Sequence, residues 1–169
     1  MIAAEDAGIL AEIQSASYRT ARGIKAAWPE ADALDADGIS DLLGAHRYCV
    51  LATGRPDGRA HAAPVAYVAA AGAFWFGTVA GLRLRNLRAG PWASLVVMEG
   101  ERDSDEPGDD PLHRALTAEG PVSLHEGDAF AAAFAPLRES WLARHGHEPD
   151  WAVVLAELRP ERIFSHAAG

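Results

Sequence analysis

The sequence predicts a mainly β protein, an antiparallel barrel of six to seven strands with helices at its ends. Three observations carry this. Four short β-prone runs fall between residues 48 and 98, turn signals rather than long helical crossovers join them, and the clearest helical periodicity lies outside them. A chain of 169 residues that is 49% apolar and 23% charged has the size and composition of one domain that buries its own core, so 1–169 is expected to be a single domain.

Residues 3 to 27 set Ile9, Ile13, Ala16 and Ala21 near helical spacing, and Pro29 stops the pattern. Ile39 to Leu43 reads as a short second helix with Ser40 and Asp41 near its start, so residues 1–45 form a helical N-terminal part. Tyr48 to Thr53 is the first strand, ended by GRPDGR, in which Pro56-Asp57-Gly58 supplies a turn with a residue able to take positive φ. Its partner, Ala60 to Ala70, contains Pro64, which has no N–H for a ladder and so favours an edge, a bulge or a strand start. Ala71-Gly72 turns the chain into Phe74 to Thr78, residues 81 to 88 form a short helix or turn, and Trp92 to Met98 is the fourth strand. Residues 99–111 have no apolar periodicity and read as an acidic, solvated loop. Leu112 to Leu124 reads as a strand interrupted at Gly120-Pro121, with a helical first half as the alternative. Asp128 to His145 spaces Phe130, Phe134, Leu137, Trp141 and Leu142 as an amphipathic helix bearing Pro136; Trp151 to Leu158 is the last long strand, followed by Ile163-Phe164.

Charge and cysteine usage narrow the function classes. The net charge of -9 opposes binding to a phosphate backbone, so no nucleic-acid partner is expected. The charge is segregated. Residues 99 to 110 carry seven carboxylates against Arg102, whereas residues 54 to 98 hold Arg55, Arg59, Arg83, Arg85 and Arg88 against Asp57 alone. Such a locally basic middle suits a small anionic ligand. Because Lys25 is the lone lysine, arginine is the default cation here and its presence at a site is weak evidence for bidentate recognition. The single cysteine, Cys49, excludes an internal disulfide framework. The N-terminus MIAAEDAGILAEIQ lacks the features of a secretory signal, and no run approaches the length of a membrane span, so a cytoplasmic protein without a membrane partner is expected.

The stretch Phe76 to Leu87, FGTVAGLRLRNL, is the most informative. A strand ending in Thr78 enters a loop with Gly81, and the loop enters a helical turn with Arg83 and Arg85. Unsatisfied N–H groups at a helix start, the helix dipole and an arginine together make an anion site, although the same pattern also describes an ordinary solvated connection. Other residues rank lower. His145-Gly-His147 has no third ligand tied to it by a motif and reads as a solvated loop, so no metal is expected. His61 either faces a ligand or is a plain strand residue; Cys49 is a small core residue. The aromatic residues at 74 to 76, 92, 141 and 151 pack the core and a dimer face. No Ser/His/Asp set or carboxylate pair is supported by spacing, and no catalytic side chain is assigned.

Taken together, LAT, PDGRAHAAPV and FWFGTVAGLRLRNLRAGPWASLVV resemble the pyridoxamine 5'-phosphate oxidase-like family of FMN-binding split β-barrels, closely over Leu42 to Met98 and loosely over Ala115 to Ser165. The resemblance implies a homodimer with FMN at the subunit interface. It implies that Thr78 bonds the phosphate or ribityl chain and that Arg83 stands where the family has a phosphate-binding lysine. Ala62, Ala63, Pro64 and Val65 would offer backbone groups to the ring edge beside His61, and Leu82 and Asn86 complete the cofactor-binding set. Gly81 and Leu82 depart from the Ser-Arg pair often found just before the basic residue. The C-terminal signature of true pyridoxamine phosphate oxidases is absent, so vitamin B6 oxidation is not implied. The expected function is a flavin-dependent oxidoreductase acting with an unknown small-molecule substrate or electron donor. The alternatives are a reductase using the deazaflavin F420 and a non-catalytic flavin or haem binder.

Overall fold

The computed structural model describes residues 2–99 and 113–168. The expected acidic loop lies almost entirely outside the described residues; of it, Glu99 is described and pairs with Arg114 at 2.7 Å.

Strand β1 (Tyr48–Gly54) and strand β2 (Ala60–Ala66) form the expected hairpin, closed by Arg55 N–H donating to Arg59 O at 2.9 Å, with Gly58 at φ 82°. Among the described residues β2 pairs with β1 alone, so Pro64 sits on an edge strand, where a missing N–H is tolerated. The strand expected to run from Ala60 to Ala70 is two strands. At Tyr67 the chain leaves β1 and continues as β3 (Val68–Ala70), which pairs with β4 (Ala73–Thr78). Tyr67 fixes this corner: its fully buried ring carries a hydroxyl that donates to Leu43 O at 3.2 Å.

The curled sheet runs β2-β1-β5-β6-β7-β4-β3, all pairs antiparallel, with β5 (Trp92–Met98), β6 (His113–His125) and β7 (Val154–Leu158); β8 (Arg162–Ala168) pairs with β6. This is a split barrel of eight strands. The count exceeds the expected six to seven because Tyr67 divides one run and Ile163-Phe164 belongs to a full strand. The last long strand starts at Val154 rather than Trp151.

The long strand β6 is not interrupted at Gly120-Pro121. Its residues 115–121 pair with β5, while on its other edge 113–119 pair with β8 and 122–125 with β7. Gly120 lies where the β7–β8 connection crosses this strand, and a Cβ there would sit 2.1 Å from Arg159 O. Only glycine leaves that room.

Helix α1 (Ala4–Thr20) is shorter than expected, since Ala21 is extended and a separate 3-10 turn covers Ile24–Ala26. Its buried stripe is Ala7, Leu10, Gln14, Ser17 and Tyr18 rather than the Ile9, Ile13, Ala16 and Ala21 series. Two polar residues are buried because β8 satisfies them. Gln14 Nε2 donates to Leu34 O at 2.7 Å, Ser165 Oγ donates to Gln14 Oε1, Ser17 Oγ accepts from Ile163 N at 3.0 Å, and Tyr18 OH donates to Ser165 O at 2.8 Å. Helix α2 (Ala36–Ala45) begins three residues before the expected Ile39, because Asp35 caps it by accepting from Gly38 N at 2.8 Å.

The helix expected over 128 to 145 is broken into α4 (Asp128–Phe134), a 3-10 turn at Ala135–Leu137, and α5 (Arg138–His145). Pro136 lacks the N–H that a continuous helix needs and crowds the preceding turn. Both halves still pack on one side of the sheet, where Phe134, Leu137 and Trp141 meet Val68, Trp75 and Leu155. The other face of β4 lines the barrel core with Phe74 and Phe76 among Leu51, Leu95, Leu116 and Leu158, so β4 is buried along its whole length. No helix among the described residues is long and apolar enough to cross a membrane.

Candidate functional site

Thr78 ends β4, and helix α3 (Leu82–Ala89) begins four residues later, as the FGTVAGLRLRNL pattern implies. Leu84 and Leu87 enter the core, which fixes the face of α3 and sends Arg83 back toward the end of β4. There Arg83 Nε donates to Thr78 Oγ1 at 3.0 Å and Nη2 donates to Gly77 O at 3.3 Å. Of five guanidinium N–H groups these bonds use two, which leaves three for another acceptor. Thr78 itself is fully buried, and its hydroxyl is turned to Arg83 and the Val79 carbonyl.

Arg83 opens on a cavity of about 360 Å³ whose opposite wall is the edge strand at Pro64, Val65 and Ala66. Residues far apart in sequence, both singled out there, thus meet around one space. Ala62, Pro64 and Ala66 alternate along β2 with His61, Ala63 and Val65, and Val65 is buried opposite Cys49. Asn86 is buried on α3 and donates to Thr53 Oγ1 at 3.0 Å, while its Oδ1 has no partner. His61, cross-strand from Thr53, also has an unpartnered buried atom, Nδ1. Leu82 is half-buried at the first turn of α3. Of the expected cofactor-binding residues, Pro64, Val65 and Arg83 line the cavity wall, whereas His61, Ala62, Ala63, Thr78, Leu82 and Asn86 do not.

Further residues that line this cavity include Arg47 just before β1, His145 at the end of α5, His147 just beyond it, and Trp151. Read as a solvated loop, His145-Gly-His147 is instead brought to the site by Gly146, whose φ of 80° ends α5 and folds the chain back. A Cβ on Gly77 would lie 2.9 Å from the Trp151 ring, so glycine there lets the indole close over β4. The sequence offered one signal, two imidazoles beside a helix-ending glycine, but no motif tied it to Arg83. Among the described residues no group of three or more metal-ligating side chains occurs.

Electrostatically the cavity is cationic, with Arg47 and Arg83 and no lining carboxylate among the described residues. Burial pulls the Arg83 guanidinium below its usual range without bringing it near neutrality at physiological pH. Burial also pushes the Cys49 thiol up to about 12, against the opposing pull of Arg83, so Cys49 is no nucleophile. A second cavity, of about 410 Å³ between α1 and α5, holds Arg144 and Arg47 but none of the expected residues. The Arg144 side chain there caps α2 by donating to the carbonyls of Leu43, Gly44 and His46, a structural use of its charge.

Comparison with known proteins bears on the family and the fold. Residues 36–167 match the family described as pyridoxamine 5'-phosphate oxidase. No curated protein matches the chain. Similar solved structures include a conserved hypothetical protein from Mycobacterium tuberculosis (22% identity over 81% of this chain and 88% of that one, TM-score 0.64). An FAD-binding protein from Mesorhizobium loti is 21% identical over 80% of this chain and 95% of that one, with a TM-score of 0.61. The haem storage protein HutZ from Vibrio cholerae is 21% identical over 76% of this chain and 92% of that one, with a TM-score of 0.59. These likenesses show the split-barrel fold. With the match spanning both the edge strand and the Arg83 helix, the chain belongs to the pyridoxamine 5'-phosphate oxidase family.

Proposed function

We propose that the chain binds FMN in the cavity between Arg83 and the edge strand and serves as a flavin-dependent oxidoreductase for a small molecule. The observation that carries this reading is the convergence of Arg83, with three free donors, and the β2 segment Pro64–Ala66 on one cationic space. The residues fit a flavin phosphate: a half-buried arginine held from behind by Thr78 and Gly77 is preorganised for an oxyanion. The unpaired edge of β2 offers main-chain groups to a ring, and Trp151 and Val65 supply apolar walls. A bound flavin would supply the hydride or electron chemistry; the chain binds, orients and shelters it.

A second copy of the chain fits the outer face of β1 and β5, where Tyr48, Val50, Trp92 and Met98 are exposed at 63%, 43%, 45% and 59%. Exposed apolar side chains on neighbouring strands support an interface there. Sedimentation is expected to give twice 17.9 kDa, and a monomer that still takes up flavin contradicts the shared-interface arrangement. The haem alternative draws on the two imidazoles in the cavity, and HutZ carries the description of a haem storage protein. The visible spectrum of the purified protein and the mass of the released chromophore decide the matter. FMN supports the proposal, whereas haem, F420 or a colourless protein that takes up no added FMN overturns it.

A further inference from the structure

Resting on the flavin reading of the same cavity, we infer that His145 is a specificity-determining residue, a fixed hydrogen-bond acceptor that presents Nδ1 to an N–H or O–H of the bound cofactor. Its geometry requires this division of labour between the two ring nitrogens. Nε2 lies 3.1 Å from Tyr67 O, and because a carbonyl only accepts, Nε2 carries the hydrogen. The neutral ring then has its lone pair on Nδ1, which has no partner among the described residues. The ring cannot swing away. Trp141, fully buried, packs on it with centroids 4.7 Å apart, and the Tyr67 carbonyl that holds it belongs to the corner where β2 becomes β3.

Burial and the charges around His145 keep it neutral. Burial is the largest influence and lowers its pKa from the ordinary imidazole value; the bond to Tyr67 O acts the other way, and Arg144, His147 and Arg47 each oppose a further positive charge. Arg83 adds a fourth cationic or ionisable neighbour across the cavity, and no carboxylate lines it among the described residues. The C-terminus of α5 favours a cation, but with Arg144 in the same last turn that advantage is already taken. The cavity thus has donors at Arg83 and Arg47 and an acceptor at His145. A ligand with an anionic end and a ring N–H or chain hydroxyl satisfies both, as FMN does, whereas an anion with acceptors only does not.

Two substitutions separate the ring nitrogens. His145→Gln retains a donor near Nε2 for Tyr67 O and loses the acceptor at Nδ1; His145→Asn retains an acceptor near Nδ1 and loses the donor to Tyr67. The experiment titrates each protein with FMN by flavin fluorescence, records melting temperatures without FMN, and reads the imidazole nitrogens of the flavin-free protein by 15N NMR. The free protein is expected to show neutral His145 protonated on Nε2 at pH 7, titrating below the ordinary imidazole range. His145→Gln is expected to melt like the parent yet bind FMN about threefold to tenfold more weakly, the loss of one neutral hydrogen bond. His145→Asn is expected to melt lower and keep most of its affinity. Parent affinity should be flat above the His145 pKa and fall in acid below it, a fall missing from His145→Gln. Unchanged affinity in His145→Gln, equal losses in both variants, or a ring protonated on Nδ1 overturns the role while leaving the flavin reading in place. Failure of the parent itself to bind FMN overturns the flavin reading, and this role with it.

Discussion

Arg83 Nε donates to Thr78 Oγ1 at 3.0 Å, joining the first turn of α3 to the last residue of β4. The bond aims the guanidinium: with Nη2 also held by Gly77 O, the free N–H groups of Arg83 point from a fixed base into the cavity. A side chain so anchored has already lost the rotamer freedom that a free arginine gives up on meeting a phosphate.

Arg83→Ala is therefore expected to weaken FMN binding about tenfold to a hundredfold, since a charged hydrogen bond contributes on the order of 1.5–3 kcal/mol. Thr78→Val keeps the cation and removes its anchor, so its loss should be smaller, about threefold to tenfold, the worth of one neutral hydrogen bond. A flavin-fluorescence titration of both variants checks the order. A larger loss in Thr78→Val than in Arg83→Ala would mean that the hydroxyl meets the ligand directly.

Gly120→Ala tests the fold apart from the site. Its Cβ would need the space of Arg159 O at 2.1 Å, a backbone atom held by Arg159 N–H to Pro121 O at 3.1 Å and by Glu161 N–H to Glu119 O at 2.9 Å. The strand or the β7–β8 connection must separate, at a cost of about 1–3 kcal/mol or more. A clearly lowered melting temperature is expected, and a parent-like one would show that the connection yields freely.

How much of this was legible in sequence depended on the range of the determining contact. The hairpin at Pro56-Asp57-Gly58 and the Thr78–Arg83 turn are set within a few residues, and both are where the sequence puts them. The division at Tyr67 depends on Leu43, and the glycine at 120 on Arg159; neither partner is near in sequence, so one reads as a continuous strand and the other as an interruption. Helix α1 misleads in the same way. Gln14 and Ser17 look like solvent-facing residues until Ser165 and Ile163 satisfy them. The cavity divides likewise: Arg83 and Pro64 carry a motif, but His145 reaches it through a helix break at Pro136 and a left-handed Gly146.

Stability is expected to fall in alkali, beginning near pH 9. The folded state holds the Cys49 thiol neutral, raised from 9.0 to about 12 by burial, so the unfolded chain ionises first. The stabilisation is fully present below 9.0 and is lost as the pH rises toward 12. Burial raises Tyr67 and Tyr18 too, each from 10.0, and their contributions follow at higher pH. Urea unfolding between pH 8 and 11 should show the decline. In Cys49→Ala the curve should lie lower throughout, from the lost packing, but stay flat until the tyrosines begin to titrate. An equally early decline in that variant would assign it to another group.

The last expectation is catalytic: with FMN bound, a nicotinamide or deazaflavin donor should reduce the flavin, and pyridoxamine phosphate should not be oxidised. Hydride transfer needs one ring face open to a reactant. The edge strand β2 and the half-open wall of Trp151, itself 42% exposed, leave such an approach. A phosphorylated substrate needs more, a second set of cations beyond the one that holds the cofactor. With Gly81 and Leu82 in place of a hydroxyl and a cation, Arg47 is the one arginine beside Arg83 along the cavity wall among the described residues, and one flavin phosphate suffices to engage both. The C-terminal arginines are committed elsewhere: Arg159 pairs with Glu157, and Arg162 pairs with Glu119 at 3.3 Å beside Phe164, on a different cavity. Anaerobic stopped-flow bleaching of the flavin by each donor, run beside an assay for pyridoxal phosphate, tests both halves. No bleaching by any donor would favour a storage role, and steady pyridoxal phosphate formation would show that Arg47 and Arg83 hold substrate and cofactor phosphates together.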